Sequence, residues 1–162
     1  MCLDTVTSRR HERPGKPVTC SGVFVESELD GETVYLAVND AEFGGDVRAG
    51  NRRHYLPGRD YSAAVAKVPG TRESFIPSVL TCESREHYPA GFHRFPHRRD
   101  AVAWRDEFVA TYEFIADGDR SIIPIFVVLT CEVRDIICRG IQEGREVIVS
   151  SRMRIVEQEE QQ

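Results

Sequence analysis

Ile125-Phe126-Val127-Val128-Leu129-Thr130-Cys131-Glu132-Val133-Arg134 is the stretch whose reading sets the fold class. It is dense in β-branched and aromatic residues, which fit a pleated, half-buried surface. Side chains alternate across a strand. Ile125, Val127, Leu129, Cys131 and Val133 therefore share one face, and Phe126, Val128, Thr130, Glu132 and Arg134 the other. The second face becomes polar toward its C-terminal half, which predicts one solvated side there. The β-rich run extends from Ile122 to Ile137, and Glu143-Gly144 then supplies a turn. In the return segment, Glu146 to Val156, the residues Val147, Val149, Ser151, Met153 and Ile155 oppose Ile148, Ser150, Arg152 and Arg154. Two alternating runs joined by a turn predict an antiparallel hairpin.

Working outward, Val18 to Glu26 and Thr33 to Val38 are two more β-rich runs. Asp30-Gly31 lies between them and signals a second hairpin, with a connection read here as longer than two residues. Val79 to Glu83 and Phe92 to Phe95 predict short strands, with a turn at Pro89-Ala90-Gly91. From about Arg98 to Tyr112 the apolar residues Ala101, Trp104, Phe108 and Tyr112 recur at helical spacing. Asp100 near the start suits the helix dipole. Trp104 and Phe108 are expected to pack on the face carrying Ile125, Val127 and Leu129. These elements predict an α+β protein: a mostly antiparallel sheet, one main helix packed on it and a long irregular insertion. Residues 1–17, polar and bearing Pro14 and Pro17, read as a flexible arm, and 18–156 as a single domain. Within it, 39–78 carries five glycines and three prolines and reads as an irregular loop or lid. Tyr61 to Val68 is its one candidate helix, on the propensity of Ala63, Ala64 and Ala66. Residues 157–162 form an acidic, glutamine-rich tail that is expected to fray.

The chain has 162 residues, enough for one domain with a real core. Its formal net charge of −5 argues against a general nucleic-acid binder. No apolar run approaches the roughly 20 residues that span a bilayer, and the N-terminus has no apolar signal region. Cys2, Cys20, Cys82, Cys131 and Cys138 are scattered, three of them in β-like runs, and read as reduced thiols packed as small hydrophobes. The expectation is a cytoplasmic protein with no cofactor and no membrane partner.

Tyr88-Pro89-Ala90-Gly91-Phe92-His93-Arg94-Phe95 is where sequence pattern and chemistry meet. With the opening Met1-Cys2-Leu3-Asp4 and the closing Ser151-Arg152-Met153-Arg154-Ile155, it resembles a set of small uncharacterised bacteriophage and bacterial proteins. The resemblance covers about half the chain, implies a phage or prophage accessory protein, and carries over no activity and no catalytic residue. The step from the His93 strand into a helix also resembles, loosely, that of ADP-ribosyltransferase-like folds, where a histidine holds a nicotinamide ribose.

His93 at a strand–helix junction is a candidate general base or ligand contact. Arg94, His97, Arg98 and Arg99 follow it at the start of a helix, whose amides favour anions. Arg52 and Arg53 from the long loop complete the expected site, and Arg152 and Arg154 are same-face neighbours able to extend it. Cys82, His87, His93 and His97 match no zinc spacing, so no metal is expected. Cys2, exposed by loss of Met1, is a weaker candidate nucleophile. The reading favoured is binding, with a nucleotide-like anionic ligand or a host protein as partner. The alternative is a nucleotide- or NAD-acting enzyme, ADP-ribosyltransferase-like or a hydrolase, using His93 with Glu132 or Glu146 as the opposing carboxylate.

Overall fold

The structure, a computed structural model, describes residues 3–12, 15–38, 54–62, 79–81, 84–89 and 91–156. The elements follow as β1 (Thr5–Ser8), β2 (Val18–Leu29), β3 (Glu32–Ala37), β4 (His54–Tyr55), β5 (Asp60–Ser62), β6 (Val79–Thr81), β7 (His87–Pro89), β8 (Phe92–Arg94), α1 (Arg98–Ala116), β9 (Ile125–Gln142) and β10 (Arg145–Ile155). A short 3-10 turn at Arg120–Ile122 joins the helix to β9. The fold is α+β, with one helix packed on a curled, antiparallel sheet.

The two long hairpins form the backbone of that sheet, whose main path runs β4-β3-β2-β9-β10-β5. Both turn on two residues with positive φ, Asp30-Gly31 and Glu143-Gly144, as tight hairpin turns require. The first connection is thus shorter than its sequence suggested, because β2 and β3 run right up to the Asp-Gly pair. β1 adds to β9 and β8 adds to β10. Ser21 and Phe95 then exchange two backbone hydrogen bonds of 2.8 Å, which tie the end of β8 back to β2 and curl the sheet on itself.

The curl produces two apolar clusters. One lies under the helix and holds Val23, Val128, Cys138, Val147 and Val149 with Phe95, Ala101 and Trp104. The other holds Cys20, Phe24, Phe92, Leu129, Cys131, Val133, Ile148, Met153 and Ile155. Trp104 is buried and packs edge-on against Phe95 and Phe108. Phe108 stacks on Phe126. The helix therefore covers the Phe126 and Val128 face of β9, not the expected one. Ile125 is exposed and Leu129 belongs to the second cluster. The helix meets β9 at its N-terminal end, where both faces of the strand are apolar, so alternation alone did not choose between them.

β9 carries one extra residue relative to β10. Val149 faces Cys138 whereas Ser150 faces Ile136, so Ile137 is left over as a bulge. Upstream of it the buried residues are Val128, Leu129, Cys131, Val133 and Ile136; downstream they are Cys138, Gly140 and Gln142. The buried parity changes ahead of this bulge, between Val133 and Ile136, where Asp135 has a positive φ.

Several segments differ from their sequence reading. Within the expected arm, Thr5–Ser8 pairs with β9, Glu12 bridges to Ile136, and Leu3 is fully buried. Gly140 makes this possible, because a Cβ there would collide with the Thr5 carbonyl and the Leu3 side chain. Within the expected loop, β4 and β5 take the two edges of the main sheet path. Tyr61 and Ser62 are therefore extended rather than helical; positions 63–68 lie outside the described residues, as do 39–53, 69–78 and the tail from 157. Cys20, Cys131 and Cys138 are buried, with no disulfide among the described residues, and Cys2 and Cys82 lie outside the described residues. No helix among the described residues is long and apolar enough to cross a membrane.

Candidate functional site

The strand carrying His93 is sealed rather than open. β8 lies against β10 with His93 opposite Val149, and alternation sends its neighbours the other way. His93 is 4% exposed. Its Nδ1 lies 2.9 Å from the Gly91 carbonyl, and its Nε2 3.0 Å from the Tyr88 hydroxyl. A carbonyl can only accept, so Nδ1 carries the proton and Nε2 accepts from Tyr88. The Tyr88 oxygen in turn accepts from the Leu3 amide at 2.9 Å. Burial pushes the His93 pKa down to about 3, and the nearby Arg94 charge works in the same direction. The ring is neutral and its lone pair is engaged in this chain of hydrogen bonds. It fastens the N-terminal segment to the core, and the ring expected to contact a ligand or act as a base is enclosed instead.

Arg94 is likewise directed inward. It is 3% exposed and its guanidinium lies over the rings of Phe24 and Phe92, at 4.8 and 5.9 Å from the centroids. Nη1 donates to the His93 carbonyl and Nε to the Met153 sulfur. Gly22 leaves the room, since a Cβ there would stand 2.8 Å from Arg94 Cδ. A buried guanidinium stacked between rings gains cation–π attraction strengthened by desolvation. Arg98 and Arg99 are exposed on the first turn of the helix, and His97 faces Glu146 at 3.3 Å. Arg94 is thus separated from Arg98 and Arg99, and among the described residues these three do not converge on one anion. Arg52 and Arg53 lie outside the described residues. His87 and His97 are exposed while His93 is enclosed. Among the described residues, no group of three or more His, Cys, Asp or Glu is placed to share a metal ion.

A different concavity lies on the outer face of β9, β10 and β5. It is open, encloses about 300 Å³, and is walled by residues of those three strands. Two cross-strand rows form its floor. In the first, Arg134 stands directly opposite Arg152, which stands directly opposite Ser62. In the second, Glu132, Arg154 and Asp60 are aligned in the same way. Directly opposed residues share a face and approach closely.

The two rows differ in charge. Arg154 grips Asp60 with both Nε and Nη2, at 2.9 and 2.8 Å. That bond, with the positive charges of Arg134 and Arg152 nearby, holds the Asp60 carboxyl below its ordinary range. Glu132 flanks Arg154 on the other side and adds to its positive pKa shift. Signs alternate along this row. Arg134 and Arg152 are instead like charges set side by side, a destabilising arrangement. Among the described residues neither guanidinium has an ion-pair or hydrogen-bond partner. Arginine forks match carboxylate and phosphate geometry.

Sequence reading identified Arg152 and Arg154 as same-face neighbours and named Glu132 as a carboxylate, although for the wrong partner. It missed Arg134, Asp60 and Ser62. The alternation of 125–134 did mark Arg134 as solvated; what it lacked was the register that brings it beside Arg152. Nothing in the pattern around Asp60 signalled a strand. Comparison with family models, with curated proteins and with solved structures returns no match.

Proposed function

We propose that this protein binds a small anionic ligand, of the nucleotide-like phosphate class, in the groove over β9, β10 and β5. The observation that carries the reading is the Arg134–Arg152 pair: two guanidiniums in direct cross-strand register at the floor of an open groove, with no carboxylate between them. An anion seated across both removes their mutual repulsion and satisfies two forks at once. Ser62, next in the row, adds a hydroxyl on the same face. In the accessory-protein setting that the resemblance implies, such a chain senses or carries its ligand rather than transforming it. Binding is preferred to the enzyme reading because the His93 lone pair is already engaged by Tyr88 and the ring is sealed.

Titration calorimetry with inorganic phosphate, AMP and ADP at low salt tests this. The expected outcome is saturable binding that weakens as ionic strength rises, since exposed charges are screened over about 10 Å at 0.1 M salt. Arg134→Gln and Arg152→Gln are each expected to weaken it about ten- to a hundredfold, the range for a lost charge-assisted contact. Arg98→Gln is expected to leave it unchanged. Normal binding by both groove variants, or no binding of any anion by the parent, would refute the proposal.

A further inference from the structure

We infer that the ligand of this groove is bipolar, with an anionic group at one end and a cationic or hydrogen-bond-donating group at the other; this rests on the anion-binding reading above. The argument comes from the charge of the two rows. The Arg134–Arg152–Ser62 row carries two positive charges and no negative one. The Glu132–Arg154–Asp60 row has two carboxylates sharing one guanidinium, which leaves it one negative charge. The hydrogen bonds of Arg154 are both directed to Asp60, so Glu132 keeps its acceptor capacity. Glu132 is partly buried in the groove and its carboxylate has no hydrogen-bond partner among the described residues. A carboxylate so placed gains by accepting from a donor.

The rows lie two residues apart along each strand. At about 3.3–3.4 Å per residue this sets them about 7 Å apart. A simple dianion fills only the first row and feels repulsion from Glu132. A ligand with an ammonium or amino group a few bonds from its phosphate or carboxylate answers both rows. Aminoalkyl phosphates and ω-amino carboxylates are the simplest members of the class.

The test compares propyl phosphate with 3-aminopropyl phosphate, and butyrate with 4-aminobutyrate, in the parent and in Glu132→Gln. Thermal unfolding of the variant first establishes that it folds. The amino ligands are expected to bind the parent about two- to fivefold more tightly than their alkyl counterparts, the range for a partly exposed charge pair. In Glu132→Gln the two ligand types are expected to move in opposite directions: the amino ligand weakens, and the alkyl phosphate tightens as its repulsion is removed. The phosphate and carboxylate arms report which anion the arginines prefer. In the parent alone, an aminoalkyl phosphate series from two to five methylenes is expected to show an optimum rather than a monotonic trend. Equal affinity for amino and alkyl ligands, or an amino preference that persists in Glu132→Gln, would overturn the bipolar inference and leave anion binding standing. Failure of all of these and of inorganic phosphate to bind would overturn both.

Discussion

Acidification from pH 8 to pH 5 is expected to remove stability through His93, and the amount follows from its burial. The folded ring has its pKa held near 3, against an ordinary value of 6.5. Below pH 6.5 the unfolded chain takes up a proton that the folded chain refuses. Stability from this residue is therefore fully present above pH 6.5 and declines as pH falls toward 3. One proton per molecule corresponds to about 1.4 kcal/mol per pH unit. Between pH 8 and pH 5 the loss is about 2 kcal/mol, since only the last 1.5 units below 6.5 contribute. The assay is urea unfolding at several pH values, followed by the fluorescence of Trp104, the single tryptophan. His93→Gln is the reference: glutamine cannot titrate, and every other group is common to both chains. Asp60, Glu86 and Asp119, whose carboxyls are held low by hydrogen bonds, affect both proteins alike. The variant is less stable at every pH, because the Tyr88 and Gly91 contacts are altered. The expected signature is that its deficit against the parent shrinks by about 2 kcal/mol from pH 8 to pH 5. A deficit that stays constant would mean that the folded ring protonates freely, and would refute its enclosure.

Trp104→Ala is expected to cost roughly 3–5 kcal/mol, the usual range for emptying a large aromatic site in a packed core; unchanged denaturant midpoints would remove the helix from its place on the sheet. Gly140→Ala is expected to destabilise by about 1–3 kcal/mol and to release the N-terminal strand, which limited proteolysis near Thr5–Ser8 would report. Full protection of that strand in the variant would contradict the close approach of Leu3 and Thr5 to Gly140.

Much of the scaffold is written locally. Period-two alternation in 125–134 and 146–155, the Asp30-Gly31 and Glu143-Gly144 turns, and the three–four spacing of Ala101, Trp104 and Phe108 each act within a few residues. Each therefore yields its strand, turn or helix to inspection of the sequence. The site did not yield in this way, for two reasons. A histidine between phenylalanines looks the same whether its nitrogens face a ligand or a buried tyrosine; Tyr88 and Leu3 decide it, and only the pairing of β1 with β9 brings Leu3 there. The groove depends on register. Carried unchanged from the Glu143-Gly144 turn, the hairpin would set Arg152 against Asp135 and Arg154 against the buried Val133. The bulge at Ile137 shifts the pairing by one residue, so that Arg152 meets Arg134 and Arg154 meets Glu132. β5 then adds Asp60 and Ser62 from about ninety positions upstream. The sequence by itself determined the long strands of the two hairpins, their turns and the helix, because those signals lie in neighbouring residues. Tertiary structure alone decided which charges stand side by side, because a one-residue slip moves every side chain of a strand to the opposite face.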